Sequence, residues 1–113
     1  MVQNRNKLID LFIGNISNSI IHQVLQKAIE EENIRERYNK EFLASLDIAK
    51  RYREKINPRD IPLPEKDISY IKPRIIKKVI AELKLRISKG YLNIDIGLVE
   101  PTVDKLLRRM NVI

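Results

Sequence analysis

The stretch Ile20-Ile21-His22-Gln23-Val24-Leu25-Gln26-Lys27-Ala28-Ile29 decides the fold class. Ile20, Ile21, Val24, Leu25, Ala28 and Ile29 recur at three- and four-residue spacing, with Gln23, Gln26, Lys27 and Glu30 opposite them. That is the period of a helix with one apolar arc, not the alternation of a strand. Upstream, Leu8, Leu11 and Phe12 either start the same helix or form a short separate one. Gly14-Asn15 predicts a break between them, because glycine loses more entropy on ordering. Ser17 is placed to cap the restart.

Downstream the same period returns three times. Ile34, Tyr38, Phe42, Leu46, Ala49, Tyr52 and Ile56 share one face of a second helix, and Asn33 with Glu36 has the spacing of a capping box at its start. Ser45 falls within that face, where its hydroxyl can bond a backbone carbonyl one turn back. The outer face carries opposite charges four residues apart, Asp47 and Arg51 among them, which is the pattern of a solvated surface. Asn57 to Lys66 reads as the main connection, because Pro58, Pro62 and Pro64 cannot all lie inside a helix. A third helix is expected from Pro73, a residue suited to a first turn, after a short turn capped by Asp67 or Ser69. It buries Ile76, Val79, Ile80, Leu83 and Ile87, has Ile75 at its edge, and stops at Gly90. Tyr91 to Ile96 fits either a short extended segment or a helical turn. A last helix runs from Glu100 or Pro101 to Met110 over Val103, Leu106, Leu107 and Met110. The expectation is an all-α bundle of four to five helices in a single domain over 1–113, since neither side of the proline-rich connection is long enough for a core of its own.

Composition narrows function more than it names one. The 113 residues carry a formal net charge of +7, which favours polyanionic partners. Residues 57–113 hold net +5 of it and residues 1–56 net +2. Cysteine is absent, which excludes disulfides, thiolate metal sites and a cysteine nucleophile. The N-terminus lacks the marks of a signal peptide, and no unbroken apolar run approaches a bilayer span, so a cytoplasmic protein without a membrane partner is expected. Neither a glycine-rich phosphate loop nor a nucleophile elbow is present, and Gly14, Gly90 and Gly97 are isolated. No metal-ligand spacing appears, and no cofactor is implied. His22, the single histidine, reads as a partly buried structural residue; as a general base it would need a partner, which Asp10 or one of Glu30, Glu31 and Glu32 could supply only by folding. A binding protein is therefore expected, not an enzyme.

Between Lys72 and Lys89 stand seven basic residues and one acid, Glu82. At about 100° per residue, Arg74, Lys77, Lys78, Lys84 and Lys89 fall outside the apolar arc, giving a face of nearly one sign. Phosphate contact explains such a face; solubility alone is the plainer reading. Arg86 falls at the edge of the arc, where it can snorkel to solvent or pair with a carboxylate of another helix. Tyr70 and Tyr91 flank the basic helix and are candidates to stack on bases.

The segment 92–109 resembles the helix-turn-helix superfamily. Gly97 stands where that family has its turn glycine, and Leu92, Ile96, Leu98, Val103 and Leu106 match its apolar positions. The resemblance implies a short helix over Tyr91 to Ile96, then a recognition helix from Glu100 to Met110 exposing Glu100, Thr102, Lys105, Arg108 and Arg109. It implies DNA in preference to RNA. The expected nucleic-acid-binding residues are thus Arg74, Lys77, Lys78, Lys84, Lys105, Arg108 and Arg109. The alternative is a helical subunit that packs on a protein partner or on a second copy of itself.

Overall fold

The computed structural model describes residues 4–57 and 61–113. Among them run four α-helices and no strand: α1 (Arg5–Ala28), α2 (Glu32–Ile56), α3 (Glu65–Ser88) and α4 (Val99–Arg109), the last preceded by a 3-10 turn at Ile96–Leu98. The all-α bundle expected from periodicity is therefore what the chain forms. Pro58 of the expected proline-rich connection lies outside the described residues.

α1 is the central element and packs against each of the other three helices. It buries Leu8, Ile9, Phe12, Ile13, Ile16, Ile20, Ile21, Val24 and Leu25. By length and composition it could cross a membrane, yet 61% of its apolar window is buried inside the bundle. The break expected at Gly14-Asn15 does not occur. Asn15 instead donates its side-chain amide to the Leu11 carbonyl at 2.8 Å. The apolar residues on both sides are buried against neighbours, which outweighs the roughly 1 kcal/mol that a helical glycine costs. Ser17, expected as a cap, is a buried mid-helix residue, and the true N-cap is Asn4, which accepts from the Asn6 amide.

α2 begins at Glu32 behind Glu31, so the capping box at Asn33 and Glu36 is not used. Arg35 makes a different link. It donates to the Ile29 and Glu30 carbonyls at 3.2 and 2.9 Å, satisfying the end of α1 while fixing the start of α2. Phe42, Leu46, Ala49 and Ile56 are buried as expected, and the Ser45 hydroxyl donates to the Glu41 carbonyl at 2.8 Å.

α3 departs most from expectation. It starts at Glu65, eight residues before Pro73, which lies inside the helix. Pro64 is its N-cap, and Glu65 and Asp67 place negative charge on its first turn, where the helix dipole favours it. Arg5 of α1 grips both oxygens of the buried Asp67. Pro73 is exposed, so water can serve the carbonyl that its missing N–H leaves. The longer helix also turns its stripe. Ile71, Ile75, Val79 and Leu83 are buried, Ile76 and Ile80 are half-buried, and Ile87 is 42% exposed. The helix stops at Gly90 as expected: at φ 100° it lets Tyr91 N donate to the Arg86 carbonyl and its own N to that of Ile87. Tyr91 to Asp95 is neither strand nor helix, and Asn93 there adopts the left-handed conformation at φ 65°.

α4 buries Val103, Leu106 and Leu107, with Met110 and Val112 buried just past its end. Asn111, at φ 58°, turns the chain so that Val112 N donates back to the Leu107 carbonyl at 2.8 Å. The bundle measures 42 × 24 × 24 Å.

Candidate nucleic-acid interface

The geometry of α3 sets the basic surface. With 67, 71, 75, 79 and 83 turned to the core, Tyr70, Arg74, Lys77, Ala81, Lys84 and Ser88 follow one another at three- and four-residue spacing, all exposed. They form a row along the solvent side of the helix, with three cations and no carboxylate. From Arg74 to Lys84 the row extends about 15 Å at helical rise. Lys78 stands beside it on the α1 side, its Nζ 3.8 Å from where a Cβ on Gly14 would lie. Glu82, the one acid of the region, is held by Arg86 Nε at 3.1 Å. Arg86 therefore finds its carboxylate on its own helix, not on another.

Tyr70 begins the row. The Arg74 guanidinium lies 3.6 Å from its ring centroid, and its hydroxyl donates to Asp10 of α1 at 3.0 Å. This stack went unread in the sequence because starting the helix at Pro73 hid the Tyr70–Arg74 spacing of four. Tyr91, the other stacking candidate, is engaged by Arg86, whose guanidinium lies 5.5 Å from its ring centroid and donates to its hydroxyl at 3.5 Å. Hydrogen bonding to Tyr38 and then to Arg86 lowers the Tyr91 pKa, while burial raises that of Tyr38.

The α4 cations form a second group. Lys105, Arg108 and Arg109 are exposed and border a shallow hollow that also includes Glu100 and Asp104. Lys72 of α3 binds Asp104 at 2.7 Å, joining the two helices. The α4 surface is thus of mixed sign, unlike the α3 row.

The helix-turn-helix arrangement is not formed. No α-helix occupies Tyr91 to Ile96, and Gly97 lies in the 3-10 turn leading directly into α4. Asp95 accepts from Gly97 N at 2.9 Å and so caps that turn. Leu92, expected in the core, is 77% exposed, and Thr102, expected on the surface, is buried. Apolar spacing alone cannot distinguish two short helices from a turn that leads into one.

His22 lies at the α1–α2 contact. Its Nε2 is 3.1 Å from Glu41 Oε2 and its ring stacks on Tyr38 at 5.9 Å between centroids. The acid from folding is Glu41, not Asp10 or Glu30 to Glu32. Burial lowers the His22 pKa, Glu41 opposes that, and Arg86 adds to it. Among the described residues no group of three or more His, Asp or Glu is arranged to hold a metal ion.

Comparison with protein-family models, with characterised proteins and with solved structures finds no match to this chain.

Proposed function

We propose that the chain binds nucleic acid, with duplex DNA as the first ligand, by gripping phosphates and without reading bases through a recognition helix. The acid-free row of Arg74, Lys77 and Lys84 on α3, with Lys78 beside it, carries this reading. A row of like charges with no carboxylate among them is self-repelling, and a polyphosphate removes that repulsion while releasing its own counterions. Lys105, Arg108 and Arg109 on α4 would add flanking contacts, weakened by Glu100 and Asp104 beside them. Binding of this kind is steeply salt-dependent and tolerant of sequence.

The test is fluorescence anisotropy with a labelled duplex. Affinity is expected to fall by about a hundredfold between roughly 50 and 200 mM salt, as four phosphate contacts require. The double substitution Lys77→Gln and Lys84→Gln should weaken binding by about tenfold or more at the lower salt. No binding at low salt, or affinity indifferent to the double substitution, would overturn the reading.

A further inference from the structure

The end of α3 and the two residues beyond Gly90 carry a feature that phosphate binding does not use. Leu85 is 47% exposed, Ile87 42%, Tyr91 36% and Leu92 77%. Ile87, Tyr91 and Leu92 thus meet solvent around the turn at Gly90, a cluster which water disfavours; Leu85, two residues before Ile87, lies on another side of the helix beside His22. The corner is well fixed. Gly90 reverses the chain, Tyr91 N donates to the Arg86 carbonyl at 3.1 Å, and the Arg86 side chain reaches the Tyr91 ring. Lys84, Arg86 and Lys89 are interleaved with the apolar residues, and no acid occurs between Leu83 and Ile94.

We infer that this corner docks on an anionic membrane surface, with Leu92 at its tip entering the boundary between headgroups and acyl chains. A bilayer with anionic lipids presents negative headgroups above hydrocarbon, and exposed apolar side chains beside the exposed Lys84 and Lys89 are complementary to both layers. Nucleic acid supplies the phosphates but no apolar layer for Leu92. A second copy of the chain supplies apolar surface but brings another +7 of like charge to the same place. This exposure is not what helical period and the helix-turn-helix pattern predict, since they put Ile87 and Leu92 in the core.

The experiment is co-sedimentation of the full chain with vesicles of neutral phosphatidylcholine, alone or with about 30% phosphatidylserine, at roughly 0.15 M salt. The protein is expected on the anionic vesicles and not on the neutral ones. Leu92→Ser, a change at an exposed position, should reduce the partition coefficient by about tenfold, the effect of withdrawing one leucine from an apolar phase. Leu92→Trp gives the chain its only tryptophan, whose emission should shift to the blue on anionic vesicles. Duplex affinity should be unchanged by Leu92→Ser. Failure to sediment would overturn the inference. So would sedimentation indifferent to Leu92→Ser with an unshifted tryptophan, since the α3 cations would then be acting on any polyanion. A dimer dissolved by Leu92→Ser would assign the corner to a second copy, and an equal loss of duplex affinity would assign it to nucleic acid; either result overturns the membrane reading.

Discussion

Arg53 is the side chain on which one end of the bundle closes. It is 1% exposed, an unusual place for a guanidinium. Its Nε donates to the Met110 carbonyl, Nη1 to the carbonyl and side-chain oxygen of Asn57, and Nη2 to the carbonyls of Ile61 and Asn111. One residue of α2 thereby satisfies backbone groups on both sides of the α2–α3 connection and at the end of α4. Arg53→Met fills the space but strands those acceptors, and is expected to cost about 3 kcal/mol in urea unfolding; an unchanged midpoint would refute the role. Arg53→Lys recovers little, because an ammonium cannot reproduce the planar fork. His22 sets a pH dependence. Burial lowers its pKa in the folded state below the ordinary 6.5, so the unfolded chain takes up the proton first as pH falls. Its contribution to stability is complete above about pH 6.5 and is lost as pH falls through that value toward the folded pKa. Urea midpoints between roughly pH 5 and 7.5 should therefore drop on acidification, and His22→Gln should flatten that slope. Asp67 acts lower: its hydrogen bonds from Arg5 hold its pKa below 3.8, so its share is present above 3.8 and is lost only as pH falls below it.

At the scale of elements, the glycines separate what local sequence decides from what packing decides. Gly90 takes φ 100°, which side-chain-bearing residues rarely adopt, so Gly90→Ala should destabilise by about 1 kcal/mol and loosen the end of α3. Gly14 is an ordinary helical residue, and an added Cβ meets nothing closer than Lys78 Nζ at 3.8 Å. Gly14→Ala should therefore stabilise by about 0.5–1 kcal/mol, read as a higher urea midpoint with α1 helicity unchanged or increased. Destabilisation there would mean that the helix depends on the missing Cβ. These two residues also show how much of the fold was legible in the sequence. Gly90, the buried faces of α1 and α2, and the span of α4 were readable because helical period and a glycine stop are local signals. The continuity of α1 through Gly14 and the start of α3 at Glu65 were not, since each rests on long-range partners: the neighbours that bury Phe12 and Ile16, and Arg5 gripping Asp67 from another helix. The misplaced start moved the α3 stripe, which is why Ile87 was assigned to the core; Leu92 followed from the helix-turn-helix pattern. The basic residues of the candidate site were legible, because an exposed cation on a helix needs no partner to be recognised. Their division into a nearly one-sign α3 face and an α4 surface that carries Glu100 and Asp104 was legible too; the link from Lys72 to Asp104 was not, because it forms across helices.

For the whole molecule, the question is how the net charge of +7 is distributed over an elongated bundle of 42 × 24 × 24 Å. Two groups of cations stand on helices that pack together, but only the α3 row of Arg74, Lys77 and Lys84 has no carboxylate within it. Salt dependence counts the phosphates engaged, because each contact releases condensed counterions and contributes about −0.9 to the slope of log affinity against log salt. Arg74, Lys77, Lys78 and Lys84 alone give a slope of about −3.6, and adding Lys105, Arg108 and Arg109 brings it to about −6. Glu100 on the α4 surface repels a phosphate brought to Lys105 or Arg108, and Asp104 already draws on Lys72. The slope is therefore expected at about −4, well short of −6, measured by anisotropy over a salt series. Lys105→Gln with Arg109→Gln should leave it within about one unit, whereas Lys77→Gln with Lys84→Gln should flatten it by about two. The reverse pattern would move the interface from α3 to α4, where Glu100 and Asp104 stand beside the cations.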